Sequence, residues 1–181
     1  MEGMAIIHGG GNRSDMVQRI IGVFGAGNVT VGSNEWQAAL RTGSMLAQNG
    51  FVVLTGGLGG VMEAASRGAR EAGGLTVGIL PGTRRTTPAN KYVDIAIYTG
   101  MGEGRNVINV KSCLAAIAIG GEYGTLSEIA LALKGQCPII LLNTWHIAPY
   151  GTMRQPEWLL AQSDAEAVAM AIKAAQAHVA E

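Results

Sequence analysis

Phe51-Val52-Val53-Leu54-Thr55-Gly56-Gly57-Leu58-Gly59-Gly60-Val61-Met62-Glu63-Ala64-Ala65 passes from one structural period to another. The apolar run 51–54 has the length and continuity of a strand buried on both faces. The glycine cluster 56–60 closes it. A helical pattern opens at Val61, continues to about Glu71 and is stopped by Gly73-Gly74. The same order recurs along the chain. Apolar runs at 20–24, 75–80, 94–98, 114–119 and 138–142 read as strands, and most end in a glycine cluster such as Gly25-Ala26-Gly27 or Gly120-Gly121. Helical patterns follow at about 35–48, 105–112, 126–134 and 163–179. Alternation of buried strands with helices predicts a single-domain α/β fold with a doubly wound, Rossmann-like parallel sheet. Residues 19–181 form that domain in this reading, and 1–18 read as a flexible N-terminal tail.

Composition bounds the partners. Lys+Arg and Asp+Glu are 13 each among 181 residues, so the formal net charge is zero and gives no electrostatic reason to expect a nucleic acid or a membrane surface. Charged residues make up 14% and hydrophobic ones 48%, which sets disorder aside as the main state. Cys113 and Cys137 form no C-x-x-C pair and read as buried, reduced thiols. His8, His146 and His178 stand apart, so no metal site is expected. The uncharged stretch 43–62 changes period midway and is no membrane span. The N-terminus lacks a basic-then-apolar signal pattern, so a cytoplasmic protein is expected.

Glycine is the outlier, with 27 residues, about twice average usage. Placed where strands lead into helices, glycines let backbone approach a ligand. Helix N-termini there offer free N–H groups and a positive dipole end, which suits phosphate. The expected site is the crevice outside the carboxyl ends of the strands. Any one of these glycines could instead serve only a tight turn. No Gly-Lys-Ser/Thr is present, which excludes a P-loop. The dinucleotide fingerprint fails at Thr30, and Thr55 stands where an acid would hold a ribose.

Two segments carry a family resemblance. The first runs from Gly56-Gly57-Leu58-Gly59-Gly60-Val61-Met62-Glu63 to Gly78-Ile79-Leu80-Pro81-Gly82. The second runs from Gly104-Arg105-Asn106 through Gly120-Gly121-Glu122-Tyr123-Gly124-Thr125-Leu126-Ser127-Glu128. Together they resemble the LOG superfamily, once labelled lysine decarboxylase-like. The resemblance implies a Rossmann-like fold, homo-oligomers (dimer or tetramer) and no pyridoxal phosphate chemistry. One branch hydrolyses the N-glycosidic bond of nucleoside 5′-monophosphates, using an Arg and a Glu that Arg105 and Glu128 match. Another comprises molybdenum cofactor carriers, which hold a phosphorylated pterin as cargo and require no cofactor of their own. Gly120 replaces the enzyme loop's Pro, Glu122 its second Gly, and Asn106 the usual Lys. These departures favour a non-catalytic carrier of a phosphorylated small molecule, with a phosphoribohydrolase as the alternative. The ligand-binding set is Gly25, Gly27, Gly56, Gly57, Gly59, Gly60, Arg105, Asn106, Gly120, Gly121, Gly124 and Thr125. Arg105 and Glu128 are catalytic under the alternative.

Several of these residues have plainer readings. Thr125-x-x-Glu128 has the form of a helix capping box, as does Ser163-x-x-Glu166. Arg105 could be a solvated arginine at a helix start. Helix starts disfavour cations, so its position points to an anionic partner. Arg84, Arg85 and Lys91 read as a solvated loop, with an anion-contacting flap or subunit contact as the alternative. Glu122 would repel phosphate unless it points away or meets a cation. The segment 143–162 reads as a packed loop or a lid.

Overall fold

The computed structural model describes residues 19–148, 150–151 and 158–179, so the expectation of a flexible tail at 1–18 falls outside the described residues. The strands are β1 (Ile20–Gly25), β2 (Val52–Thr55), β3 (Thr76–Leu80), β4 (Ile95–Tyr98), β5 (Ala115–Ile119), β6 (Ile139–Leu142) and β7 (Trp158–Ala161). The helices are α1 (Asn34–Gln48), α2 (Val61–Glu71), α3 (Asn106–Lys111), α4 (Tyr123–Gly135) and α5 (Asp164–Val179), with a 3-10 turn at Gly102–Arg105 before α3. All strand pairs are parallel, in the order β4-β3-β2-β1-β5-β6-β7. This is the doubly wound, Rossmann-like sheet that the alternating pattern predicts.

The apolar runs of the inner strands β1, β2, β3, β5 and β6 are buried on both faces, whereas the edge strand β4 keeps Ile95 and Ile97 exposed. All five residues of β5 and all four of β6 are inaccessible. One face packs against α1, α2 and α5 through Trp36, Leu46, Val61 and Val168, and the other against α3 and α4 through Val110 and Ile129. Helices α1 and α2 meet at backbone distance. A Cβ on Gly43 would lie 2.0 Å from the Ala65 carbonyl oxygen, and one on Gly68 would lie 1.9 Å from that of Leu40. Chain order reverses between β1 and β5. Strands β2, β3 and β4 build outward from β1 on one side, and β6 and β7 build outward from β5 on the other. The loops after β1 and β5 therefore part company there and leave a crevice.

Two expectations change. The segment 143–162 contains an edge strand, β7, paired with β6 through Ile139–Trp158 and Leu142–Ala161. Helix α4 begins at Tyr123, with Glu122 at its N-cap position, so Thr125 lies inside the first turn and Thr125-x-x-Glu128 is no capping box. The similar motif at α5 does cap. Ser163 Oγ accepts from the Glu166 N–H at 3.2 Å, and Glu166 accepts from the Gln162 N–H at 2.7 Å. Among the described residues, no helix is long and apolar enough to cross a membrane.

Candidate functional site

The glycine loop after β2 is organised by Thr55. Its hydroxyl accepts from the Gly57 N–H at 3.1 Å and pairs with Ser66 Oγ at 3.2 Å. Gly60 has φ +61°, and a Cβ there would lie 2.2 Å from the Ala26 carbonyl oxygen. That absence lets α2 begin against the loop after β1, where the Val61 N–H donates to the same Ala26 oxygen at 3.0 Å. From the far side, the Asn90 N–H donates to Gly57 O, and Asn90 Nδ2 donates to Leu58 O, each at 2.9 Å. The loop is thus held from both sides.

The cleft at the β1/β5 switch point is lined by Gly25 and Gly27 after β1, by Gly56 after β2, and by Arg105 and Asn106 at the start of α3. Gly124, Thr125 and Glu128 of α4 complete its far wall. Gly57, Gly59, Gly60, Gly120 and Gly121 stand behind this lining and shape the loops. Gly121, for instance, has φ +108°, and a Cβ on it would meet Thr125 Oγ1 at 2.4 Å. Sequence reasoning missed Phe24, Ala26, Leu58, Met62 and Glu103, which also line the cleft. Leu58 and Met62 lie inside the glycine-rich motif itself and Glu103 two residues before Arg105. The cleft encloses about 170 Å³. That is below the ~300–1,000 Å³ usual for a ligand pocket, so a larger ligand must extend over the loops.

Arg105 is not solvated, being 6% exposed. Its guanidinium lies against Gly56, where a Cβ would fall 2.0 Å from Nη1, and Nη1 donates to the Ile79 carbonyl at 3.0 Å. Nε has no partner. Burial lowers its pKa from the ordinary value, opposed by the charges of Glu128 and Glu103. The Ile79 carbonyl of β3 orients the guanidinium and occupies only one of its donors.

Glu128 is also 6% exposed. Burial pushes its carboxyl up to about 7, against the hydrogen bond from Asn109 and the charge of Arg105. Asn109 Nδ2 donates to Oε1 at 2.7 Å. Asn106 turns its Nδ2 to Ser127 Oγ at 2.7 Å and leaves Oδ1 buried without a partner. Glu122 accepts from Asn28 Nδ2 at 2.9 Å, a bond between the loops after β1 and β5. Arg84, Arg85 and Lys91 are exposed and do not line the cleft. Cys113 and Cys137 are free and half-buried, and burial raises both thiols, Cys137 to about 11. No group of three or more metal-ligating side chains occurs among the described residues.

Comparison with known proteins places this geometry in a family. The model of the SLOG cluster4 family matches residues 18–178. The fold resembles a molybdenum cofactor binding protein from Rippkaea orientalis, at 40% identity over 87% of this chain and 97% of that one, with TM-score 0.74. It also resembles the molybdenum cofactor carrier protein of Chlamydomonas reinhardtii, at 37% identity over 88% of this chain and 99% of that one, with TM-score 0.72. An uncharacterised protein of Archaeoglobus fulgidus is 51% identical over 114 residues, 63% of this chain and 73% of that one.

Proposed function

The chain belongs to the SLOG cluster4 family, and from that premise we propose that it binds a phosphorylated pterin of the molybdenum cofactor type and carries it without transforming it. The carrying observation is the likeness to two molybdenum cofactor binding and carrier proteins at 37–40% identity over nearly nine tenths of the chain. The cleft supports it. Gly56 before α2 and Gly124 in the first turn of α4 line the cleft, where a ligand can come close to the backbone, and Arg105 adds the one cation of the lining among the described residues. The cargo is the ligand, and no resident cofactor is needed. We further propose that the protein is cytoplasmic, assembles with copies of itself and takes no nucleic acid.

The phosphoribohydrolase reading keeps one observation in its favour, since Arg105 and Glu128 line the same cleft. Asn106, Gly120 and Glu122, which depart from the enzyme pattern, weigh against it, and a carboxyl raised to about 7 is only partly ionised at neutral pH, which weakens it as a stabiliser of a ribosyl cation.

Mass spectrometry of small molecules released from the purified protein, followed by titration with a pterin monophosphate, tests the carrier reading. We expect a pterin and saturable binding, with no free base released from a panel of nucleoside monophosphates. Arg105→Ala should weaken binding by roughly 10- to 150-fold, the loss of one charge-assisted contact. Base release that vanishes in Glu128→Gln would establish the hydrolase instead.

A further inference from the structure

The cleft is poor in positive charge for a site that takes a phosphorylated ligand. Among the described residues, Glu103, Glu122 and Glu128 line it against Arg105 alone. Their oxygens accept hydrogen bonds, so beyond the contact Arg105 can make with a phosphate the lining favours a part of the ligand that brings hydrogen-bond donors.

Two acceptors are set up to receive them. Glu122 is held from outside the cleft, because Asn28 Nδ2 donates to its Oε1 at 2.9 Å and Trp145 Nε1 donates to its backbone oxygen at 3.2 Å. Trp145 is itself braced by the Tyr123 ring, 5.9 Å away between centroids. The Glu122 side chain makes no cap bond to α4 and lines the cleft, and among the described residues its hydrogen bond is the one at Oε1, which leaves Oε2 to a ligand. Asn106 supplies the second acceptor. The Ser127 hydroxyl donates to Gly124 O at 2.7 Å and must therefore accept from Asn106 Nδ2, which fixes the amide with Oδ1 as its free atom. That oxygen is buried, unpartnered, and belongs to a residue 3% exposed in the cleft lining. A buried acceptor without a donor costs free energy that a ligand N–H would recover.

We propose that Glu122 is the specificity-determining residue of the site and reads the adjacent ring N–H and exocyclic amine of a 2-amino-4-oxopyrimidine ring, while Asn106 Oδ1 accepts a further donor from the same head group. The inference rests on the reading of the cleft as a phosphorylated-ligand site. Pterins and guanine nucleotides share this ring edge, and the test separates them.

The full-length protein and its Glu122→Gln variant are titrated with GMP, with IMP, which lacks the amine, and with a pterin monophosphate. Glu122 is exposed, so the variant is expected to fold with an unchanged melting temperature. The wild type should bind the pterin, and should bind GMP at least ~10-fold more tightly than IMP, since a site built to bond an N–H rejects the analogue without it. Glu122→Gln should bring the GMP/IMP ratio near one and weaken the pterin similarly. A Glu122-dependent preference for GMP without pterin binding supports the ring-edge inference and overturns the pterin reading. Pterin binding that Glu122→Gln leaves unchanged, with no GMP preference, overturns the inference and leaves the pterin reading standing. Failure of all three probes to bind overturns both.

Discussion

Gly56 carries no side chain because the Arg105 guanidinium occupies that place, with Nη1 2.0 Å from where a Cβ would sit. The clash falls on the far end of a side chain, so Gly56→Ala should fold and yet displace the guanidinium and break its bond to Ile79 O. We expect ligand affinity to fall at least ~10-fold, comparable with removal of the arginine contact, while circular dichroism stays native. Unchanged affinity would show that the cleft does not need Arg105 where it lies. Glu128 gives a pH signature. Folded, its carboxyl keeps its proton up to about 7, against a usual 4.5. Between those values the folded state binds more protons than the unfolded one, so stability falls as pH rises through the window and stays lowered above it. The shift corresponds to roughly 3 kcal/mol by pH 8. Glu128→Gln removes the ionisation, and the free Asn109 Oδ1 can accept from the new amide after a flip. The variant should therefore match the wild type near pH 4.5 and melt higher at pH 8. An equal melting temperature at both would refute the burial argument. The sequence singled out Arg105 and Glu128, but their partners Ile79 and Asn109 lie 26 and 19 residues away, and no local pattern announces such pairs.

At the scale of elements, glycine has two functions that look alike in the sequence. In the loops it shapes the cleft. In α1 and α2 it brings two helices together, and Gly43 and Gly68 face backbone oxygens that cannot swing aside. Gly68→Ala should destabilise the protein by roughly 1–3 kcal/mol through overpacking, outweighing the helix propensity that alanine gains, and should leave ligand affinity per folded molecule unchanged. A stabilised variant in chemical denaturation would show that the two helices can part at little cost. The early start of α4 belongs to this scale too. Gly120 and Gly121, at φ +53° and +108°, turn the chain so that the helix opens at Tyr123, three residues before the apolar pattern shows it.

For the whole molecule, the two sheet faces are covered unequally. Three helices pack on one, whereas the other has α4 and the six-residue α3. Apolar side chains stay exposed at both sheet edges, Ile95 and Ile97 of β4 and Leu159 and Leu160 of β7. Exposed strand edges of this kind invite a partner. We expect light scattering at micromolar concentration to give the mass of a dimer or a larger closed assembly, and a monomeric mass would refute it.

The sequence by itself determined the alternation of strands and helices, the burial of the inner strands on both faces and the placement of glycine at their carboxyl ends, whereas the exposure of β4 came from its place at the sheet edge. Apolar run length, helical period and turn chemistry are local properties, and each is complete within about fifteen residues. The tertiary structure alone decided which glycines line the cleft and which join helices, that Arg105 meets a carbonyl, and that Glu128 is buried beside Asn109. It alone also decided that 158–161 closes the sheet as β7, because that short run becomes a strand through pairing with β6. Each of these depends on which distant group supplies the missing hydrogen bond or fills the adjacent space.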